Sequence, residues 1–212
     1  MASKYRGLIS KNKFPSLMIF ISSLLLLMMA SQAWCESGGG GAYFKTQTIS
    51  TQNFKDAFVA NGFSQPSSQM NTFGGRGFGS PDSQWRKGGG GAVSTLVERL
   101  GESKATVVIS YGGFILERIY DMGIGVFSVG SLLGGGTSVL KVNEADYVET
   151  NWVIEPRASF EFKISPWMNL GIVASYLSTG VIQKIRSGNE LSNSELKLSG
   201  FAVGLEFLFG VF

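Results

Sequence analysis

Residues 152–164 alternate with a period of two. Trp152, Ile154, Pro156, Ala158, Phe160, Phe162 and Ile164 share one face, and Val153, Glu155, Arg157, Ser159, Glu161 and Lys163 share the other. The first face is apolar and the second mostly charged. Successive side chains of a β-strand point to opposite sides, so a strand sorts this segment cleanly. The end of the chain repeats the pattern. Phe201, Val203, Leu205, Phe207, Phe209 and Val211 alternate with Ala202, Gly204, Glu206, Leu208, Gly210 and Phe212. That second set is mostly small and carries a single charge, as expected where side chains crowd a narrow lumen.

Further strands are expected over 42–48, 70–78, 88–100, 104–119, 123–133, 167–179 and 197–210, the first two of them weak. Thr106-Val107-Val108-Ile109 is strongly β-prone. With 152–164 the total is eight. One helix is expected at 50–61, where Phe54 and Phe58 stand at i and i+4, Ser50 or Thr51 can cap the start, and Gly62 follows the end. The links alternate in length. Tyr120-Asp121-Met122 and Ile164-Ser165-Pro166 are tight, whereas 136–150 and 181–196 read as long polar loops. Short turns at one end and longer loops at the other are the pattern of a transmembrane barrel. The link at 101–103 is short and fits that scheme less well. The expected fold is all-β, an antiparallel meander closed into a barrel of about eight strands, with one short helix near the N-terminus.

The chain begins as an exported protein does. Lys4, Arg6, Lys11 and Lys13 form a basic region without an acid, Leu17 to Ala30 is apolar but for Ser22 and Ser23, and Ser31-Gln32-Ala33 places small residues before Trp34. This layout predicts a signal peptide over 1–33, cleaved between Ala33 and Trp34. An uncleaved anchor would need about 20 apolar residues. A glycine-rich lead-in at 34–41 and one barrel domain over 42–212 complete the expected organisation. Cys35 precedes a flexible-looking Glu-Ser-Gly-Gly-Gly-Gly. A lipoprotein cysteine wants a small residue before it, and Trp34 is not small, so a plain thiol is the expected state. A lone cysteine forms no intramolecular disulfide.

Composition narrows the function. Charged residues are 16% of the chain, low against about 25% in soluble domains. Glycine, 29 of 212 residues, is at roughly twice its usual share. The net charge of +3 is carried by the basic start, so the remainder is near neutral and no nucleic-acid partner is indicated. There is no histidine, which excludes Ser-His-Asp and Cys-His catalysis and the commonest metal ligand. None of the glycine runs at 38–41, 74–79, 88–91 or 134–136 matches a phosphate loop. No cofactor and no metal site are expected.

The polar constellation singled out by parity is Glu155, Arg157, Glu161 and Lys163, joined by Glu117 and Glu206. Read as structure, it is a salt-bridged barrel interior or a solvated sheet face. Acids and bases alternate and would pair, which favours the structural reading. Read as function, it is a pore lining or a carboxylate pair for hydrolysis, and paired carboxylates without a pocket are weak grounds for that.

Ser110-Tyr111-Gly112-Gly113-Phe114, Gly134-Gly135-Gly136, Trp152-Val153-Ile154-Glu155-Pro156, Pro166-Trp167, Ala174-Ser175-Tyr176, Leu198-Ser199-Gly200 and Phe209-Gly210-Val211-Phe212 together resemble a family of exported, glycine-rich bacterial β-proteins akin to small outer-membrane barrels. The resemblance covers most of the chain after the signal. It implies an all-β envelope protein and transfers no catalytic residue. The expectation is a non-enzymatic outer-membrane barrel in contact with lipid, with a structural, adhesive or small-ligand role. The alternative is a soluble exported barrel or sandwich, periplasmic or secreted, that binds an apolar ligand or an envelope partner. Alternation alone leaves open which face meets lipid. Trp152, Trp167, Tyr120, Tyr176 and Phe212 stand near strand ends, where a membrane barrel carries its aromatic girdles.

Overall fold

The computed structural model describes residues 37–50, 58, 63, 67–100, 103–142, 145–187 and 198–211. Within them run eight strands: β1 (Ser37–Ile49), β2 (Gln69–Asp82), β3 (Trp85–Leu100), β4 (Ser103–Asp121), β5 (Gly125–Val142), β6 (Ala145–Ser165), β7 (Met168–Ser187) and β8 (Ser199–Val211). Each pairs antiparallel with the next, and β8 pairs back onto β1, so the sheet closes into a barrel with no edge along its body.

The ladder advances as it goes round. Stepping between paired residues from Gly40 through Gly77, Gly89, Phe114, Leu133, Ile154 and Ser178 to Ser199 leads back to β1 at Ser50, whose N–H donates to the Ser199 carbonyl at 2.9 Å. The circuit climbs ten residues. With a rise of about 3.3 Å per residue and a spacing of about 4.8 Å between strands, that shear tilts the strands by about 40°.

Parity holds along most of the wall, interrupted by register shifts at Gly79/Asp82, Thr150/Asn151 and Lys163/Ser165. In β6, Val153, Glu155, Arg157, Ser159 and Glu161 are buried inside, while Trp152, Ile154 and Phe162 are exposed outside. In β8, Ala202, Glu206 and Leu208 point in, and Phe201, Val203, Leu205, Phe207 and Phe209 point out. Large apolar side chains stand on the outer wall of every strand, from Phe44 and Phe73 on β1 and β2, through Phe114 and Leu133, to Ile172 and Tyr176 on β7.

Several expected boundaries move. The run Gly38–Gly41 lies inside β1, hydrogen-bonded to both β2 and β8, instead of forming a lead-in. Residues 136–150, read as a long polar loop, continue β5 to Val142 and resume at Ala145 in β6, paired from Val142↔Ala145 downward. Residues 181–187, assigned to a loop, extend β7. The polar residues there sit on strand that has run past the apolar zone, where an outward side chain need not be apolar. The two tight links are present but shifted toward the C-terminus, with Met122–Ile124 joining β4 to β5 in place of the expected 120–122 and Pro166–Trp167 joining β6 to β7 in place of 164–166. The hairpin at Leu100↔Ser103 is short. The expected helix at 50–61, apart from Ser50 and Phe58, lies outside the described residues, as do the expected signal peptide, its Ala33–Trp34 cleavage site and Cys35.

The strands are unequal. β4 to β7 contain 18 to 21 residues, whereas β1 and β8 contain 13 each. Pairing between β7 and β8 stops at Ser178↔Ser199, while β7 stays on β6 as far as Ser187. Among the described residues, the wall of β4–β7 therefore extends further than β8 and β1 at the end opposite Ser37 and Val211.

Candidate functional site: the charged barrel interior

The interior is filled in layers. Nearest the barrel end that holds Ser37 and Val211, three arginines and three glutamates form one ionic network. Arg76 donates through Nη2 and Nε to Glu206 at 2.7 and 3.2 Å, through Nη2 to Glu161 at 3.1 Å, and through Nη1 to Glu117. Arg86 donates to Glu161. Arg157 reaches Glu206 through Nη2 at 2.8 Å and Glu117 through Nε at 3.1 Å. Glu117, Glu161 and Glu206 are all 0% exposed. Asn169 and Ser159 fill the remaining directions of Glu161.

A second pair lies further from that end. Lys45 donates to Glu155 and to the Ser175 hydroxyl, the latter at 3.1 Å, and the Tyr111 hydroxyl donates to Glu155 at 2.9 Å. Tyr43 bridges the two groups. Its ring lies 4.7 Å from the Lys45 ammonium and 5.7 Å from the Arg157 guanidinium, and its hydroxyl donates to the Gly91 carbonyl. Beyond come Gln47, Thr72 and Ser94, with Thr72 and Ser94 hydroxyls 2.7 Å apart. An apolar layer follows, including Ile49, Met70, Leu96, Leu177 and Leu198, with Phe58 and Phe63 packed edge-to-face at 5.8 Å.

Glycines make this crowding feasible. A Cβ at Gly171 would stand 2.8 Å from the Glu206 Cγ, and one at Gly204 would stand 2.8 Å from the Lys45 Cγ. These inward glycines are where the stems of the neighbouring strand's charged residues lie down.

Of the six residues singled out by parity, Glu117, Glu155, Arg157, Glu161 and Glu206 are buried together in the interior. Lys163 is not with them. It lies beyond the last buried layer, partly exposed, and pairs with Asp121 on the β4–β5 turn at 3.1 Å. The sequence reading missed Lys45, Arg76 and Arg86. Charge balance was the available signal, since four inward glutamates against one arginine demand further cations. Chemically Glu117, Glu155, Glu161 and Glu206 each stand within ion-pair distance of a cation, although Glu117 Oε1 and Arg157 Nε make no well-aligned hydrogen bond.

The architecture and its surfaces define a class: a closed eight-stranded antiparallel barrel, charged within and apolar without. No family model matches the chain, and no curated protein matches it. Among solved structures it is similar to Neisserial surface protein A, NspA, with a TM-score of 0.52 and 8% identity over 82% of this chain and 94% of that one. It is also similar to Ail, the attachment invasion locus protein of Yersinia pestis, solved in complex with the heparin analogue sucrose octasulfate. There the TM-score is 0.49 and the identity 12%, over 82% of this chain and 98% of that one. The likeness to NspA shows a common fold.

Proposed function

We propose that this chain is a non-enzymatic outer-membrane barrel, exported by a signal at 1–33 and seated in lipid through its outer wall. One observation carries the reading: the wall is inside out relative to a soluble protein. Large apolar side chains such as Phe73, Phe114, Leu133, Ile172 and Phe201 are about half exposed or more, on every side of the barrel, while the arginines and glutamates are within. Soluble monomers rarely expose contiguous apolar patches beyond a few hundred Å². A bilayer makes the same surface favourable, and a closed barrel leaves no backbone group unpaired in it. In this reading Ser37, Val211 and the turns at 83–84, 122–124 and 166–167 face the periplasm, and the longer wall of β4–β7 faces outward from the cell.

The role is structural or adhesive. The interior is occupied by its own side chains, as an eight-stranded barrel allows, which speaks against both a bulk pore and an internal apolar ligand. Glu155 and Glu161, the carboxylates of a hydrolase reading, are locked in ion pairs. The taller strands supply a rigid surface beyond the bilayer, in keeping with a surface protein such as NspA.

Fractionation of cells expressing the native chain tests the location. The expected result is recovery in outer membranes, with a folded band that shifts on boiling in detergent gels. Recovery as a soluble periplasmic or secreted protein would sink the reading. Reconstituted into liposomes, the protein is expected to pass no bulk solute.

A further inference from the structure

Two cations sit where a lipid-facing wall should carry none. Lys87 on β3 and Arg118 on β4 both point outward and are exposed. The residues facing outward around them are Gly79 and Leu116 opposite Lys87, and Trp85 and Val129 opposite Arg118. None is acidic. The nearest carboxylate along the hairpin, Asp82, is used by the turn, where its Oδ1 accepts from the Gln84 and Trp85 N–H groups at 2.8 and 2.9 Å. Asp121, two strand positions beyond Ile119, is engaged by Lys163.

Arg118 is held in place. Its guanidinium lies 5.8 Å from the Trp85 ring and 5.6 Å from the Tyr120 ring. Lys87 and Arg118 are diagonal neighbours across the ladder, about 7–8 Å apart at Cα. Two like charges at that separation on an apolar wall repel each other, and an anion between them removes the conflict. The pair lies toward the end of the barrel that holds Ser37 and Val211, beside the aromatic residues Trp85 and Tyr120. Beside Lys87 the outward Gly79, and above it Gly77 and Gly89, leave bare backbone, against which an acyl chain can lie.

We infer that Lys87 and Arg118 form a binding site for the phosphate of a glycerophospholipid in the periplasmic leaflet. The inference rests on the outer-membrane reading above. Trp85 and Tyr120 orient Arg118, Lys87 supplies the second charge, and the lipid's acyl chains follow the apolar wall. Cationic side chains near a membrane edge that reach lipid phosphates in this way are a common solution to their own desolvation.

The test uses the full chain, folded in detergent and freed of lipid, titrated with phosphatidylglycerol and followed by native mass spectrometry. Diacylglycerol serves as the matched lipid without a phosphate. The wild type is expected to retain one phosphatidylglycerol and no diacylglycerol. Lys87→Gln with Arg118→Gln is expected to weaken retention about thirtyfold, and Lys87→Gln alone about fivefold. Lys87→Gln alone keeps the test open should the double variant not fold. Arg99→Gln, at an exposed cation of the opposite end, is expected to change nothing. Unchanged phosphatidylglycerol retention in the double variant, equal retention of diacylglycerol, or a lipid-independent homodimer lost in the same variant would each overturn the inference. Failure of the outer-membrane reading shows separately, as a soluble chain in fractionation. A chain that reaches the outer membrane yet binds lipid regardless of these residues sinks only the phosphate site.

Discussion

Arg76 is the residue on which the interior turns. It engages Glu117, Glu161 and Glu206 at once, so its loss leaves three buried carboxylates sharing Arg86 and Arg157. Breaking a buried pair from one side costs about 3–5 kcal/mol, whereas removing both partners together is often close to neutral. Arg76→Met is therefore expected to lower stability by about 3–5 kcal/mol, read by urea unfolding of the folded barrel in micelles. Lys45→Met combined with Glu155→Met is expected to cost much less than either change alone. A loss under about 1 kcal/mol for Arg76→Met would show that water or neighbouring cations compensate the glutamates. The same residue marks the limit of what could be read from the chain. Glu117, Glu155, Arg157, Glu161 and Glu206 were legible because they interrupt strongly alternating strands. Arg76 was hidden among Gly74, Gly75, Gly77 and Gly79, where no neighbouring side chain reports a face. Lys163 has the right parity but the wrong height, and parity carries no information about height.

At the scale of elements, β6 and β8 were readable because their two faces differ in character along most of their length. β1 and β2 were readable only in part, as the weak strands at 42–48 and 70–78, because Gly38–Gly41 and the glycines of β2 give no alternation and have low β-propensity. They are strands because partners on both sides hydrogen-bond them, which is a tertiary cause. The upper parts of β5, β6 and β7 failed differently, since there polar and apolar residues fall on both faces, with Leu140 buried and Ile182 exposed among polar neighbours, and the period-two signal fades. The turn from β4 to β5 makes its own prediction. Gly123 takes a positive φ of 79° there, and the Asp121 carboxylate accepts its N–H at 2.8 Å. That backbone N–H first, and Lys163 second, hold the Asp121 carboxyl below its ordinary range. A depressed value means that the turn's contribution is complete above the unfolded carboxylate pKa, about 3.9, and is lost as pH falls through the folded value. An NMR titration of the Asp121 carboxyl is expected to show a midpoint below about 3.9, with the Gly123 amide shift following the same curve. Lys163→Gln should raise that midpoint while leaving it depressed, because the leading cause remains. A midpoint at or above the ordinary value would mean that the turn is open in solution.

For the molecule as a whole, what distinguishes the barrel is the placement of its charge. An exported soluble protein with the same strands would need its glutamates and arginines outside and its phenylalanines within. Here the ion pairs hold the strands from the inside, and the outer wall depends on what surrounds it. This makes the cost of an outward charge diagnostic of the solvent. Leu205 lies on the outer face of β8, half exposed, between Val203 and Phe207. If lipid covers that wall, Leu205→Arg should destabilise the folded barrel by about 2–4 kcal/mol in bilayers, the cost of an arginine near the midplane of a barrel in lipid. At Lys104, on the same outer parity of β4 but near the Leu100↔Ser103 hairpin, a Lys→Arg change should be neutral. Were the wall covered by water instead, Leu205→Arg would leave stability unchanged and raise solubility, because an exposed surface substitution away from the core usually falls within about 0.5 kcal/mol. Equilibrium unfolding in lipid vesicles therefore separates the two environments through one side chain, without removing any contact that the interior makes.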